Sequence, residues 1–290
     1  MRALLLLSSS ADFRHAPGTD GTEAAPNSFL AMPPEFVSLV AVALAGAVAS
    51  PVGGALALWR KPTTLFLSIA VGFAAGVLIG TFAFAMLPEA AAIGSPLIAV
   101  TGFAAGFALV YLLDLFVHRG VSAGDKAAQR AWVLRRREKW KPRGDKVTVL
   151  AAGTSAEELI EGVTIGVSAA TDPTLGVMVG LAIAIDNVSE ALSIGELVHA
   201  RNHPHPARRI LFWTGLIGAA LFVSAITGWL LLRDVPRAAL AFLLASGAGG
   251  MFYLTVTTLV PEAESHHYNQ SAAIATAAGF LLIFALSTLD

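Results

Sequence analysis

Eight stretches of about 20 apolar residues each, the length a helix needs to cross the hydrocarbon core of a bilayer, follow one another from residue 35 to the end of the chain. They lie near 35–59, 64–88, 95–118, 147–170, 173–199, 208–232, 237–260 and 269–289. Hydrophobic residues make up 56% of the chain and charged ones only 13%, which suits a polytopic membrane protein rather than a soluble domain. The fold class expected is all-α, with eight transmembrane helices. Pro88, Pro173 and Pro261 fall near segment ends, where proline starts or stops a helix. There is no cysteine, so disulfides, thiolate metal sites and cysteine nucleophiles are excluded.

Residues 1–34 contain one short apolar run, Ala3 to Leu7, and are otherwise polar and rich in proline and glycine. They are expected to be a disordered N-terminal tail ahead of a transporter-like domain spanning 35–290. The basic residues orient the rest. Ten of the 19 lysines and arginines fall in one connection, 119–146, after the third segment. Arg60 and Lys61, and Arg201, Arg208 and Arg209, fall on the same side if the spans number eight. The excess of positive charge on cytoplasmic loops then puts these connections inside and both termini outside. The run from Arg135 to Lys141 is read as a cytoplasmic loop that meets anionic lipid headgroups. No nucleic-acid-binding fold surrounds it, so no nucleic-acid partner is expected.

The chemistry sits in the fourth and fifth segments. The fourth carries Glu157, Glu158 and Glu161, and the fifth carries Asp186, Asn187 and Glu190. Residues three and four apart share a helix face, so each trio forms one polar stripe. Ionisable groups in an apolar span are costly and mark an ion or substrate path by default. Such a seam could also serve only to hydrogen-bond two helices, but six polar positions in matched spacing favour an ion site. Other polar residues carry less weight. Asp114 is expected to reach the interface and Glu196 the cytoplasmic end. His199, His203, His205, His266 and His267 are expected to be solvated near loops.

An internal repeat runs through the chain. Gly72-Phe-Ala-Ala-Gly76 leads to Leu87-Pro88-Glu89-Ala90 in the second segment, and Ala245 to Gly250 leads to Val260-Pro261-Glu262-Ala263 in the seventh. In an eight-span chain these two segments cross in opposite directions. That is the trace of an inverted repeat relating segments 1–3 to 6–8 around a central 4/5 pair, an arrangement that places substrate near the midplane.

With these residues in view, the chain after Met32 resembles the ZIP (Zrt/Irt-like) divalent-metal transporters. The second segment, from Gly72 to Ala90, is similar to the family's second span. The family's His-Asn-x-Pro-Glu-Gly run aligns with Glu157-Glu158-Leu159-Ile160-Glu161-Gly162. Its His- or Gln-x-x-Pro-Glu-Gly run aligns with Asp186-Asn187-Val188-Ser189-Glu190-Ala191. The resemblance implies a metal site formed by Glu157, Glu158, Glu161, Asp186, Asn187 and Glu190, with the metal as transported substrate and no cofactor. Here the family's histidines are replaced by Glu157 and Asp186, and its motif prolines by Ile160 and Ser189. The sixth-span carboxylate of some members has no counterpart in Thr214 to Ala219, and a seventh-span His-Glu aligns with Thr257-Thr258.

An all-oxygen donor set suits harder ions such as Mn2+, Mg2+ or Ca2+, whereas imidazole favours zinc. The expected function is import of a divalent cation (zinc, manganese, iron or similar), with proton uptake by the acids assisting release. The alternatives are a transport-inactive regulator and an intramembrane enzyme. The enzyme reading finds no support, because neither a His-Glu-x-x-His zinc motif nor a Pro-Gly-x-Ser-Arg-Ser phosphate motif is present. The partners expected are a divalent metal ion and the lipid bilayer, with a homodimer left open. The location expected is a cytoplasmic membrane.

Overall fold

The protein's structure, a computed structural model, describes residues 33–117, 146–200, 204–264 and 268–288. Eight helical rods and no strand occur among the described residues. They are α1 (Pro34–Trp59), α2 (Thr64–Ile93), α3 (Pro96–Val117), α4 (Lys146–Thr171), α5 (Pro173–Ala200), α6 (Pro206–Leu232), α7 (Arg237–Glu264) and α8 (Asn269–Ser287). Nearly all of the basic connection and of the N-terminal tail lies outside the described residues, as do His203, His266 and His267.

Local chemistry sets the helix starts. Pro34, Pro96, Pro173 and Pro206 each take a first helical position, where the missing N–H costs no intrahelical bond. Side-chain caps assist: Ser95 Oγ accepts from the Ile98 amide at 3.3 Å, and Asp172 Oδ1 from the Leu175 amide at 2.9 Å. Seven rods are long and apolar enough to cross a membrane. α4, the eighth, has the length; at 26 residues it extends about 39 Å, but Glu157, Glu158 and Glu161 reduce its hydropathy.

Glycines let the rods approach backbone to backbone. Along α2 and α8, Gly72 packs on Ala272, Gly76 on the Thr276 carbonyl and Gly80 on Ile283, so these two run parallel. α3 and α7 pair in the same way, with Gly102 on Phe242, Gly106 on Ser246 and Gly250 on Val110. α1 lies on α5 and α6 on α4; α2 also meets α5, and α7 meets α4. Exchanging helices 1–3 with 6–8, and 4 with 5, leaves this set of pairings unchanged. The exchange is an inversion, because α2 and α7 are antiparallel. Ser68, near the start of α2, donates to the Ala263 carbonyl near the end of α7 at 2.6 Å. Gly94, just past the end of α2, packs on Ala241 near the start of α7.

The structure departs from the sequence expectation at two prolines. Pro173 does open α5, but Pro88 and Pro261 lie inside continuous rods. Each is preceded by a π-helical segment, Thr81–Met86 in α2 and Thr255–Leu259 in α7. The Leu87 amide bonds the Phe82 carbonyl and the Val260 amide the Thr255 carbonyl, five residues back rather than four. A proline ring crowds the carbonyl four residues earlier and offers no N–H to it. Widening the preceding turn relieves that conflict, so the helix passes through. Within α1, Pro51 likewise cannot bond the Ala47 carbonyl, and Gly218 of α6 packs against that oxygen.

Candidate functional site

The two polar stripes face one another where α4 meets α5. Glu158, Glu161, Asp186 and Asn187 are buried, while Glu157 and Glu190 are half-buried. Asn187 joins three helices through one nitrogen. Its Nδ2 donates to Glu158 Oε2 at 3.3 Å and to the Gly46 carbonyl of α1 at 3.2 Å. α1 can come this close because Gly53, Gly180 and Gly195 leave room for Val188 and Ala191, Val42 and Ala57 of the facing helix. On α5, Ser189 Oγ donates to the Asp186 carbonyl at 2.8 Å and to its Oδ1 at 3.3 Å. A serine stands where the related motif carries proline, and it steadies the neighbouring acid.

α6 contributes a hydroxyl and no acid. Ser224 Oγ donates to the Glu158 carbonyl at 3.3 Å, packed against Gly162. Thr214 is buried and turned onto its own helix, donating to the Ile210 carbonyl at 2.9 Å. Thr257 and Thr258 fall within the π segment of α7, where the Thr257 hydroxyl donates to the Tyr253 carbonyl at 2.7 Å.

Three oxygens in the seam lack a hydrogen-bond partner although fully buried: Glu158 Oε1, Glu161 Oε2 and Asn187 Oδ1. Leaving a buried polar atom unsatisfied costs about 1–3 kcal/mol, so three such acceptors in one seam need an explanation. All three are electron-rich, and a cation satisfies them where an apolar neighbour does not. The remaining acids are close enough to interact electrostatically. Asp186 senses Glu157; Glu190 senses Asp186, Glu157 and Glu161. They are neighbours without forming a tight chelate: among the described residues, no three Asp, Glu, His or Cys side chains converge as a metal-binding group. Such a seam can offer an all-oxygen set of ligands to a hard cation, with acids on both helices.

One acid outside the two stripes bears on their electrostatics. Glu262, half-buried on α7 just beyond its π segment, interacts electrostatically with both Asp186 and Glu190. Its only signal in the sequence is the repeated Pro-Glu-Ala, which marks it as the counterpart of Glu89. Other polar residues settle elsewhere. Asp114, expected at the interface, accepts a 2.7 Å hydrogen bond from the Tyr253 hydroxyl, tying α3 to α7. His199 lies inside α5 rather than in a loop, with Nε2 3.0 Å from the Ala57 carbonyl. His205 is exposed just ahead of α6, and Glu196 is half-buried near the end of α5.

No protein-family model matches the chain. Among curated proteins it is similar to the zinc transporter ZupT of Salmonella heidelberg, at 30% identity over 252 residues, covering 86% of this chain and 95% of the relative. The ZupT of Salmonella newport is 30% identical over 251 residues, covering 85% and 94%. That of Escherichia fergusonii is 28% identical over 249 residues, covering 84% and 93%. The likeness therefore runs nearly the full length of each relative.

Proposed function

The chain belongs to the ZIP family of metal transporters, and on that premise we propose that it imports a divalent metal ion through the carboxylate seam between α4 and α5. It is an integral membrane protein, and divalent-metal transport follows from relatives that are named zinc transporters. The observation that carries the finer reading is the set of buried, unpartnered oxygens on Glu158, Glu161 and Asn187, on two helices joined by the Asn187–Glu158 hydrogen bond. Glu161 and Glu190, one from each stripe, hold the ion. Glu157, Glu158, Asp186 and Asn187 complete its oxygen shell.

Low dielectric strengthens the attraction between carboxylates and a divalent ion, while the loss of the ion's hydration shell opposes entry. Several oxygens from opposed helices offset that loss. Zn2+ is the first ion to examine, because the relatives are named for it. Mn2+ is the second, because an oxygen-only donor set does not discriminate against it as an imidazole-containing set does. Entry lies at the end of the bundle where α2 finishes, and release at the end carrying the link between α1 and α2.

The test is flux of Zn2+, Mn2+, Fe2+ and Mg2+ into liposomes containing the purified chain, beside Glu161→Gln and Glu190→Gln. Each substitution is expected to abolish flux while leaving the folded protein intact. Full flux in either variant overturns the assignment of the site. An absence of flux for every ion in the unaltered protein overturns the transport reading in favour of a regulator.

A further inference from the structure

Ser50 lies inside α1, fully buried, and its hydroxyl has no hydrogen-bond partner. A serine or threonine within a helix commonly turns its hydroxyl onto the carbonyl four residues back. Thr81, Thr164, Thr214, Ser224, Thr255 and Thr276 all do so in this bundle. For Ser50 that carbonyl belongs to Gly46, and the Gly46 oxygen accepts the Asn187 side-chain amide at 3.2 Å. A carbonyl oxygen has two lone pairs, and here the α1 backbone ladder and Asn187 use both. The acceptor that would ordinarily hold the Ser50 hydroxyl is therefore engaged by the residue that also bonds Glu158.

Two contacts fix where Ser50 stands. Gly46, Ser50 and Gly53 share one face of α1. Gly46 meets Asn187, and Gly53 packs on the Val188 carbonyl, so Ser50 between them lies against the same turn of α5. Its oxygen joins Asn187 Oδ1 and Glu158 Oε1 as a buried atom with nothing to bond. The inverted repeat supplies a comparison, because α6 lies on α4 as α1 lies on α5, and Ser224 and Gly228 repeat the spacing of Ser50 and Gly54. Ser224 is fully engaged, donating to the Ala220 carbonyl at 2.8 Å and to the Glu158 carbonyl at 3.3 Å. Its counterpart meets the α5 stripe with its hydroxyl uncommitted. We propose that the Ser50 hydroxyl is a further ligand of the divalent cation, supplied by α1 from beside Asn187. This rests on the reading of the α4–α5 seam as the ion site.

The chemistry of the seam has a use for such a ligand. Its six polar positions include five carboxyl groups, more negative charge than one divalent ion neutralises. A hydroxyl oxygen replaces one water of the ion's hydration shell without adding charge. Hard cations accept neutral oxygens alongside carboxylates. Together with Asn187 Oδ1, Ser50 gives the seam two of them.

The chain has no cysteine, so Ser50→Cys introduces a single thiol of nearly the same size. The purified full chain is titrated in detergent with Cd2+, Co2+ and Mn2+, beside Ser50→Ala, Glu161→Gln and Ser246→Cys. Ser246 bonds the Gly102 and Phe242 carbonyls where α7 meets α3, away from the α4–α5 seam. Ser50→Cys is expected to show a sulfur-to-metal charge-transfer band in the ultraviolet that Ser246→Cys lacks. Its preference for Cd2+ over Mn2+ should rise by about tenfold or more, since a thiolate favours the softer ion. Ser50→Ala is expected to bind Mn2+ about tenfold more weakly. With chelator it should melt no lower than the unaltered protein, because deleting an unpaired hydroxyl removes no bond. The rise in melting temperature on adding Mn2+ should be smaller.

A folded Ser50→Cys without the band overturns the proposal, as does an equal band in Ser246→Cys. So does full Mn2+ affinity in Ser50→Ala, or a Ser50→Ala that melts equally far below the unaltered protein with chelator and with ion, which marks a purely structural role. If Ser50→Cys does not fold, Ser50→Ala decides alone on affinity and melting. Normal binding in the Ser50 variants beside lost binding in Glu161→Gln overturns this ligand and leaves the seam standing. An unaltered protein that binds none of the three ions overturns the reading of the seam itself, so the two failures are distinguishable.

Discussion

The side-chain amide of Asn187 on α5 donates to Glu158 Oε2 on α4 at 3.3 Å and to the Gly46 carbonyl on α1 at 3.2 Å, so one nitrogen ties three helices at the depth of the acids. Its own oxygen stays unpartnered and buried. The residue is therefore both a brace and a neutral member of a strongly acidic seam. Asn187→Asp keeps the shape, removes the donor and adds a negative charge beside Glu158. Without divalent ions the variant is expected to melt below the unaltered protein. Added Zn2+ or Mn2+ should recover the difference, since a ligand that binds only the folded state stabilises it by mass action. Thermal melts in detergent, with chelator and then with ion, check this. A melting temperature indifferent to the ion would count against a cation in this seam.

How much of this was legible in the sequence differs from element to element. The eight rods were legible to within a few residues, because about 20 apolar residues between charged or proline-marked links admit little else. The stripes Glu157-Glu158-Glu161 and Asp186-Asn187-Glu190 follow from helical period alone. The passage of α2 and α7 through Pro88 and Pro261 was not legible, since a proline near a segment end ordinarily reads as a stop. Only the π segments show otherwise, because a widened turn four residues ahead of each proline has no signature in the residue types. The role of Gly46 was equally hidden, because a backbone carbonyl has no sequence signature and becomes a ligand for Asn187 only once α1 and α5 pack closely.

The packing argument makes a contrast between two glycines. A Cβ on Gly76 would run into the Thr276 carbonyl, in the stretch where Thr276 Oγ1 also bonds the Gly72 carbonyl at 2.9 Å. Gly215 of α6 has nothing within 4 Å of that position. Gly76→Ala is expected to destabilise by about 1–3 kcal/mol, the usual cost of overpacking a tight contact. Gly215→Ala is expected to stay within about 0.5 kcal/mol of the unaltered protein. Unfolding in mixed micelles measures both, and equal effects would contradict the close approach of α2 to α8.

Asp114 is an acid within the membrane region that lies outside the two polar stripes and is paired with a tyrosine. It accepts from the Tyr253 hydroxyl at 2.7 Å, among Phe107 and Tyr111, whose rings pack edge-on to that of Tyr253. Asp114→Asn is expected to keep Zn2+ flux within about twofold, because no ion-path group is lost, while Tyr253→Phe lowers thermal stability by removing the link between α3 and α7. Flux measured beside melting temperature separates the two effects. Loss of transport in Asp114→Asn at full stability would place that residue on the path after all.

The matched π segments carry the last expectation. A π turn inside an α-helix sacrifices regular hydrogen bonding and is frequent where function requires it. In each rod the turn precedes the acid of the repeated Pro-Glu, so a return to α-helical register would rotate Glu89 or Glu262 about the helix axis. Pro88→Ala and Pro261→Ala restore the missing N–H and remove the ring that would crowd the Phe84 and Thr257 carbonyls in a regular α-helix. Both should favour a regular α-helix, and alanine is the better helix former by a wide margin. Each variant is therefore expected to raise the melting temperature while lowering the maximal Zn2+ flux, as the turns that carry Glu89 and Glu262 rotate against the helices they pack on. A variant that is stabilised yet transports at the full rate would show that the π turns merely accommodate the prolines. A variant that is slower and also less stable would trace the loss to damaged packing instead of register.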